Sequence, residues 1–227
     1  MLLGLPFFLG PSIWILLPAI ALAIYAQWRI RSTYRRYATV ETAARVAASG
    51  AARRILDAEA ISGVSIEEAR RTLGDHYDPR RKVLRLSAPE STSIAAVGVA
   101  AHEAGHAIQH ARGFAPLALR SAAVPIASFG SQLAFPLFFI GLITRFEPLI
   151  TVGILLFSAA VFFTLITLPV EFDASRRAVA SLRTSGLVTS EELGAVKEVL
   201  FAAALTYVAA AAMAALQLVM MLMARRR

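Results

Sequence analysis

Three stretches of this chain carry no charged side chain over lengths that match a lipid bilayer: Ser121 to Thr144, Pro148 to Val170 and Val199 to Ala224. A helix rising 1.5 Å per residue needs about 20 residues to cross the hydrocarbon core, and lipid offers unpaired backbone no partners. Such segments therefore read as transmembrane helices. The first 28 residues form a fourth apolar segment, interrupted by Pro6, Pro11 and Pro18 and ending in the aromatic and basic run Tyr25, Trp28, Arg29, Arg31. Ala19-Ile20-Ala21 resembles a cleavage site, but no Lys or Arg precedes Arg29. The expectation is an uncleaved anchor with its N-terminus on the outer side, not a secretory signal. An apolar content of 57%, with only 17% charged residues, agrees with a polytopic, mainly α-helical membrane protein.

The formal charge of +8 would suit a nucleic-acid binder, but its distribution favours a membrane. Of 23 Lys and Arg residues, 14 lie between Arg29 and Arg112, and Arg176, Arg177, Arg183 and Lys197 lie between the third and fourth spans. With four crossings both regions share a side, which the positive-inside rule makes the cytoplasm. Anionic headgroups are the expected partner of that Arg-rich face, and nucleic acid is not. Arg225, Arg226 and Arg227 fall on the opposite side of this scheme. With no cysteine, thiolate zinc sites, disulfides and Cys nucleophiles are excluded.

Between the first two spans lies His102-Glu103-Ala104-Gly105-His106, an HExxH motif. Residues four apart stack on one face of a helix, so both imidazoles can approach a single Zn²⁺. Glu103, rotated by about 100°, stands beside the metal, where its carboxylate can accept a proton from bound water. Ala104, Gly105 and Ala107 carry no charge and Ile108 is apolar, which suits a helix buried beside a pocket rather than a solvated one. Ser91, Thr92 or Ser93 is expected to cap this helix and Gly113 to end it.

Upstream, Ser32 to Leu56 has apolar residues at helical spacing among Ala and Arg. It reads as an amphipathic helix lying on the membrane or as a solvated, salt-bridged one. Ser65-Ile66-Glu67-Glu68 has the spacing of a capping box and predicts a short helix ending near Gly74. Asp75 to Ser87 predicts a small β-hairpin turning at Asp78-Pro79. Its edge could pair with a substrate peptide or serve only to brace the fold.

Catalytic zinc takes three protein ligands and a water. His110 continues the four-residue repeat but lies about 12 Å along the axis from His102, too far for a shared ion. His76 sits on the hairpin, and no His follows six residues after His106. Glu171, at the end of an apolar span, is costly there unless it binds metal or is neutralised by Arg176 or Arg177. Position alone leaves both readings open.

The run HEAGHAIQHA, preceded by DHYDPRRKVLRLS and followed after two apolar spans by LPVEFDASRRA, resembles the bacterial membrane zinc metallopeptidases of the YugP type over nearly the whole chain. The resemblance implies that His102, His106 and Glu171 bind Zn²⁺ and that Glu103 is the catalytic base. The EFDAS run is also similar to the Glu-containing motif of the membrane proteases that include the HtpX and CAAX-processing enzymes. Those carry Asp four residues after the ligand Glu, where this chain has Ser175. Ser175 would supply a weaker hydrogen bond to a ligand histidine, and Asp173 faces another side of the helix.

The expected organisation is an anchor at 1–28, a catalytic region with hairpin and HExxH helix at 29–113, two transmembrane helices at 114–170, a third-ligand segment and cytosolic loop at 171–198, and a last transmembrane helix at 199–227. The expected function is a gluzincin-like zinc metalloendopeptidase in the cell membrane, with its site on the cytoplasmic side. It would cut peptides or membrane-protein segments, alone or with an oligomeric or regulatory partner. His76, Tyr77 and Arg177 are candidates for stabilising the oxyanion. The alternative is a zinc-binding scaffold or adaptor without turnover.

Overall fold

The computed structural model describes residues 13–70 and 74–226, and shows a mainly helical protein with a small sheet. In chain order its elements are α1 (Ile13–Tyr37), α2 (Ala48–Ala58), β1 (Ser65–Glu68), β2 (His76–Asp78), β3 (Val83–Leu86), α3 (Ile94–Ala111), α4 (Ala115–Thr144), α5 (Glu147–Ser185) and α6 (Ser190–Arg225). The last three are long and apolar enough to cross a membrane. The expected anchor at 1–28 falls partly outside the described residues, and α1 continues past it to Tyr37.

The chain forms two compact units. Among the described residues, the apolar unit holds those up to Gln27 together with Leu119–Leu168 and those from Leu205 on. Within it α4 and α5 meet through small residues. A methyl group on Gly153 would lie 2.8 Å from the Ala134 carbonyl oxygen, a spacing that only glycine permits. Phe138, Ile154 and Phe157 fill the seam, while Phe129, Ile143 and Leu155 face outward, as lipid-facing side chains do. Thr144 and Ser158 return their hydroxyls to the carbonyls of Ile140 and Ile154, which removes polar groups that hydrocarbon could not satisfy. At one end Arg225 pairs with Glu147 at 2.6 Å, so part of the basic C-terminus is neutralised within the protein.

The second unit, Trp28–Ala118 with Pro169–Ala204, is built around α3. Almost every side chain of that helix is buried, and most are Ala or Gly, so neighbouring elements can approach from several sides. Ala51, Ala52, Ile55 and Leu56 of α2, Leu84 and Leu86 of β3, and Ala178 and Leu182 of α5 pack with it in one core.

Two local expectations are corrected here. Ser32 to Leu56 is not one helix, because residues 42–49 pair instead with the segment leading into α3. Thr42 N–H donates to the Thr92 carbonyl, and Ala48 N–H to that of Ser91. The chain turns through Arg45 at φ +46° before α2 begins. The apolar stripe of α2 is buried against α3, not laid on membrane or water. Ser65 to Gly74 contains a strand instead of the capping-box helix. β1 runs parallel to β3 in the order β1-β3-β2, with Ile66 opposite Leu84. The Ser65 and Ala69 amides donate to Lys82 and Leu86, and Arg85 reaches Glu67 across the strands at 3.2 Å. A single capped turn offers few bonds against the cost of helix nucleation, so the existing edge of β3 wins. The hairpin of β2 and β3 is present as expected, extended by β1 to three strands.

Candidate metal centre

Ser93 caps α3 by accepting the Ala96 N–H at 3.3 Å, and Gly113 ends it in the left-handed region at φ +63°. These two stops place His102, Glu103 and His106 in the middle turns of the helix, with Glu103 and His106 buried and His102 partly so. Gly105 lets α5 come close: a methyl group there would lie 2.5 Å from the Ala174 carbonyl oxygen. One turn of α5 before Ala174, Glu171 points at both histidines.

Glu171 Oε2 lies 3.2 Å from His102 Nε2, and Oε1 lies 3.7 Å from His106 Nε2. One donor atom from each of the three residues falls within 4.8 Å of the others. The two rings meet edge to face, with centroids 4.8 Å apart. Adjacent ligands of a tetrahedral zinc with bonds of about 2.05 Å stand about 3.3 Å apart, so small rotations would bring this set onto an ion. Two imidazoles and one carboxylate, with a fourth position for water, are also the donor chemistry that catalytic zinc accepts. Glu171 and His106 are buried, and His102 is partly so.

Burial works against a charged His106, but the adjacent Glu171 carboxylate, the negative charge of Glu103 and the Gln109 contact outweigh burial and raise its pKa. Glu103 is itself buried. Among the described residues no side-chain hydrogen bond ties its carboxylate down.

Each histidine has a partner on its other nitrogen. Ser175 Oγ is 3.1 Å from His102 Nδ1, where the EFDAS run suggested a weaker contact. His106 Nδ1 donates to Gln109 Oε1 at 3.0 Å, a contact the sequence reading did not foresee. Gln109 is fully buried and donates in turn to the Val170 carbonyl and to Asp173 Oδ2. Asp173 does turn away from His102, as expected, but it reaches the other histidine through Gln109. Gln109 lies three residues after His106, a spacing that puts both on one helix face, and this was the available signal.

Arg176 and Arg177, considered above as neutralisers of Glu171, both reach Asp173, Arg177 through Nε at 2.6 Å. Arg177 also stacks over Phe114. The remaining histidines are elsewhere. His110 Nδ1 meets the Tyr77 hydroxyl at 2.9 Å, and His76 lies between the Gly74 carbonyl and Arg85.

The family model described as "Putative neutral zinc metallopeptidase" matches residues 12–226. The "Putative membrane protease YugP" of Bacillus subtilis (strain 168) is 44% identical over 213 residues, covering 93% of this chain and 95% of that protein. No solved structure matches the chain. Zinc is the cofactor that this family implies, and the His102, His106, Glu171 group could hold it. With a family match across nearly its full length, the chain belongs to the neutral zinc metallopeptidases and is associated with the membrane.

Proposed function

We propose that this protein is a multi-pass membrane zinc metalloendopeptidase in which His102, His106 and Glu171 hold the ion and Glu103 is the general base. The observation that carries the reading is the convergence of two imidazole nitrogens and one buried carboxylate from α3 and α5, next to a second buried carboxylate in the HExxH turn. This is the gluzincin pattern, with the third ligand a Glu from a later helix.

An ion held by His102, His106 and Glu171 would supply Lewis acidity that makes a water at the site easier to deprotonate. Glu103 takes the proton of the attacking water on its carboxylate and delivers it to the nitrogen of the departing amine. Ser175 and Gln109 orient the two imidazoles. Peptides or membrane-protein segments at the cytoplasmic surface are the substrates, because the Arg-rich segments flanking the site follow the positive-inside rule.

The test measures zinc per chain and casein or peptide hydrolysis in parallel, for wild type, Glu103→Gln and Glu171→Ala purified in detergent. Glu103→Gln is expected to retain zinc and lose hydrolysis, and Glu171→Ala to lose zinc. Equal turnover in wild type and Glu103→Gln would remove the peptidase reading and leave a zinc-binding scaffold. Full zinc retention in Glu171→Ala would remove that residue from the ligand set.

A further inference from the structure

We propose that Gln109 is a positioning residue that sets the tautomer of His106, and that Asp173, clamped by Arg176 and Arg177, sets the orientation of Gln109. The inference rests on the metal reading of His102, His106 and Glu171 given above.

The Gln109 side chain is fully buried and has both ends of its amide engaged. Nε2 donates to the Val170 carbonyl at 2.8 Å and to Asp173 Oδ2 at 2.9 Å. A carbonyl and an ionised carboxylate can only accept. Turning the amide by 180° would set Oε1 against both of those oxygens and lose two buried hydrogen bonds. The orientation is therefore fixed, with Oε1 facing His106 Nδ1 at 3.0 Å. Oε1 has no proton to give, so His106 Nδ1 must carry one.

A neutral imidazole has a single N–H. With Nδ1 protonated, His106 Nε2 is left as a lone pair on the side where the other donor atoms converge. The distances agree with this: His106 Nε2 stands 3.7 Å from Glu171, outside hydrogen-bonding range, whereas His102 Nε2 is at 3.2 Å. His102 has no such constraint, because its Nδ1 meets the Ser175 hydroxyl, which can donate or accept. One histidine is preset as a metal ligand, and the other adjusts when the ion arrives.

Asp173 makes the device one-directional. Two guanidiniums hold it as an anion, and an anionic carboxylate cannot donate to Gln109. Replacing it with Asn would supply an N–H that can face Gln109 Oε1 and allow the amide to turn.

The test is ¹⁵N NMR of histidine-labelled, metal-free protein in detergent at alkaline pH, where the imidazoles are neutral. His106 is assigned by difference against His106→Asn, and zinc affinity is measured in parallel by chelator competition. Wild type is expected to show His106 as the Nδ1–H form alone. Gln109→Leu is expected to mix tautomers and to lose about 10- to 100-fold in zinc affinity. Asp173→Asn is expected to mix tautomers with a smaller loss, and circular dichroism should be unchanged in both variants.

An Nε2–H form in the wild type overturns the proposal, as does Gln109→Leu or Asp173→Asn with wild-type tautomer and affinity. The wild-type spectrum decides even if Gln109→Leu fails to fold. A wild type with Nδ1–H at His106 that binds no zinc would sink the metal reading and leave this hydrogen-bond chain standing. Zinc binding with Nε2–H at His106 would do the reverse.

Discussion

Replacing Gly105 by Ala adds one methyl group at the place where α3 and α5 come closest. That methyl would lie 2.5 Å from the Ala174 carbonyl oxygen, 3.1 Å from its carbon and 3.2 Å from its Cα. All three atoms are backbone, so no rotamer change relieves the overlap. Restoring a contact of about 3.4 Å requires the helices to separate by about 0.9 Å. Glu171 lies three residues from Ala174 on the same helix, so it moves away from His102 and His106 by a similar distance. Metal–ligand distances tolerate only about 0.2 Å.

The stability cost is smaller than the loss of site geometry. Overpacking costs about 1–3 kcal/mol, and Ala is favoured over Gly in a helix by about 1 kcal/mol. Gly105→Ala should therefore lose about 0–2 kcal/mol of folding stability but at least tenfold in zinc affinity. Gly194→Ala is the control: nothing lies within 4 Å of its added methyl, and zinc binding should not change. The assays are chelator competition for zinc and thermal unfolding of the metal-free protein. Wild-type zinc affinity in Gly105→Ala would refute the claim that this contact holds the ligand set together.

Two further predictions concern residues away from the donor atoms. Ser175→Ala removes one neutral hydrogen bond, worth about 1 kcal/mol, and should weaken zinc about fivefold, whereas Ser175→Asp should tighten it through a charge-assisted bond to His102. Weaker binding in Ser175→Asp would show that the added charge does not reach the imidazole usefully. In the hairpin, Asp78 accepts the Arg80 and Arg81 N–H groups. Burial works against the charge of Asp78, but these bonds and the Arg81 and Arg85 charges outweigh it, so its pKa is lowered. Because the folded pKa is depressed, the stabilisation is complete above the unfolded value of about 4 and is lost as pH falls through the folded value. A fall in the protection of the Arg80 and Arg81 amides on acidification, taken relative to the intrinsic exchange rate at each pH, is the expected sign. Asp78→Asn, which keeps an acceptor oxygen, should not show it, and an identical pH profile in that variant would exclude Asp78 as the cause.

The parts of the fold legible in the sequence were those fixed by local constraints. Charge-free segments of bilayer length became α4, α5 and α6, the Ser93 cap and Gly113 stop framed α3, and Asp78-Pro79 turned the hairpin. Where the sequence misled, a distant segment competed with a local signal. Ser65 to Glu68 has the spacing of a helix start, but β3 offers it a full set of backbone partners. The amphipathic stripe of α2 was visible, but nothing local indicated that a nearly all-buried Ala-rich helix would cover it.

The candidate site divides along the same line. Two imidazoles four residues apart follow from helical periodicity alone, and a costly carboxylate after an apolar span singled out Glu171, though not which of its two readings applied. The contact that brings Glu171 to them depends on Gly105, whose reason lies 69 residues away at Ala174. Asp173 shows the limit most clearly. Helix geometry correctly turned it away from His102, yet that did not make it irrelevant, because α3 supplies Gln109 to carry its hydrogen bonding to His106. A motif specifies which atoms can bind a metal. Whether those atoms are held in binding form depends on contacts between helices, so substitutions at Gly105, Gln109 and Asp173 should perturb zinc affinity although His102, Glu103, His106 and Glu171 are all retained in the sequence.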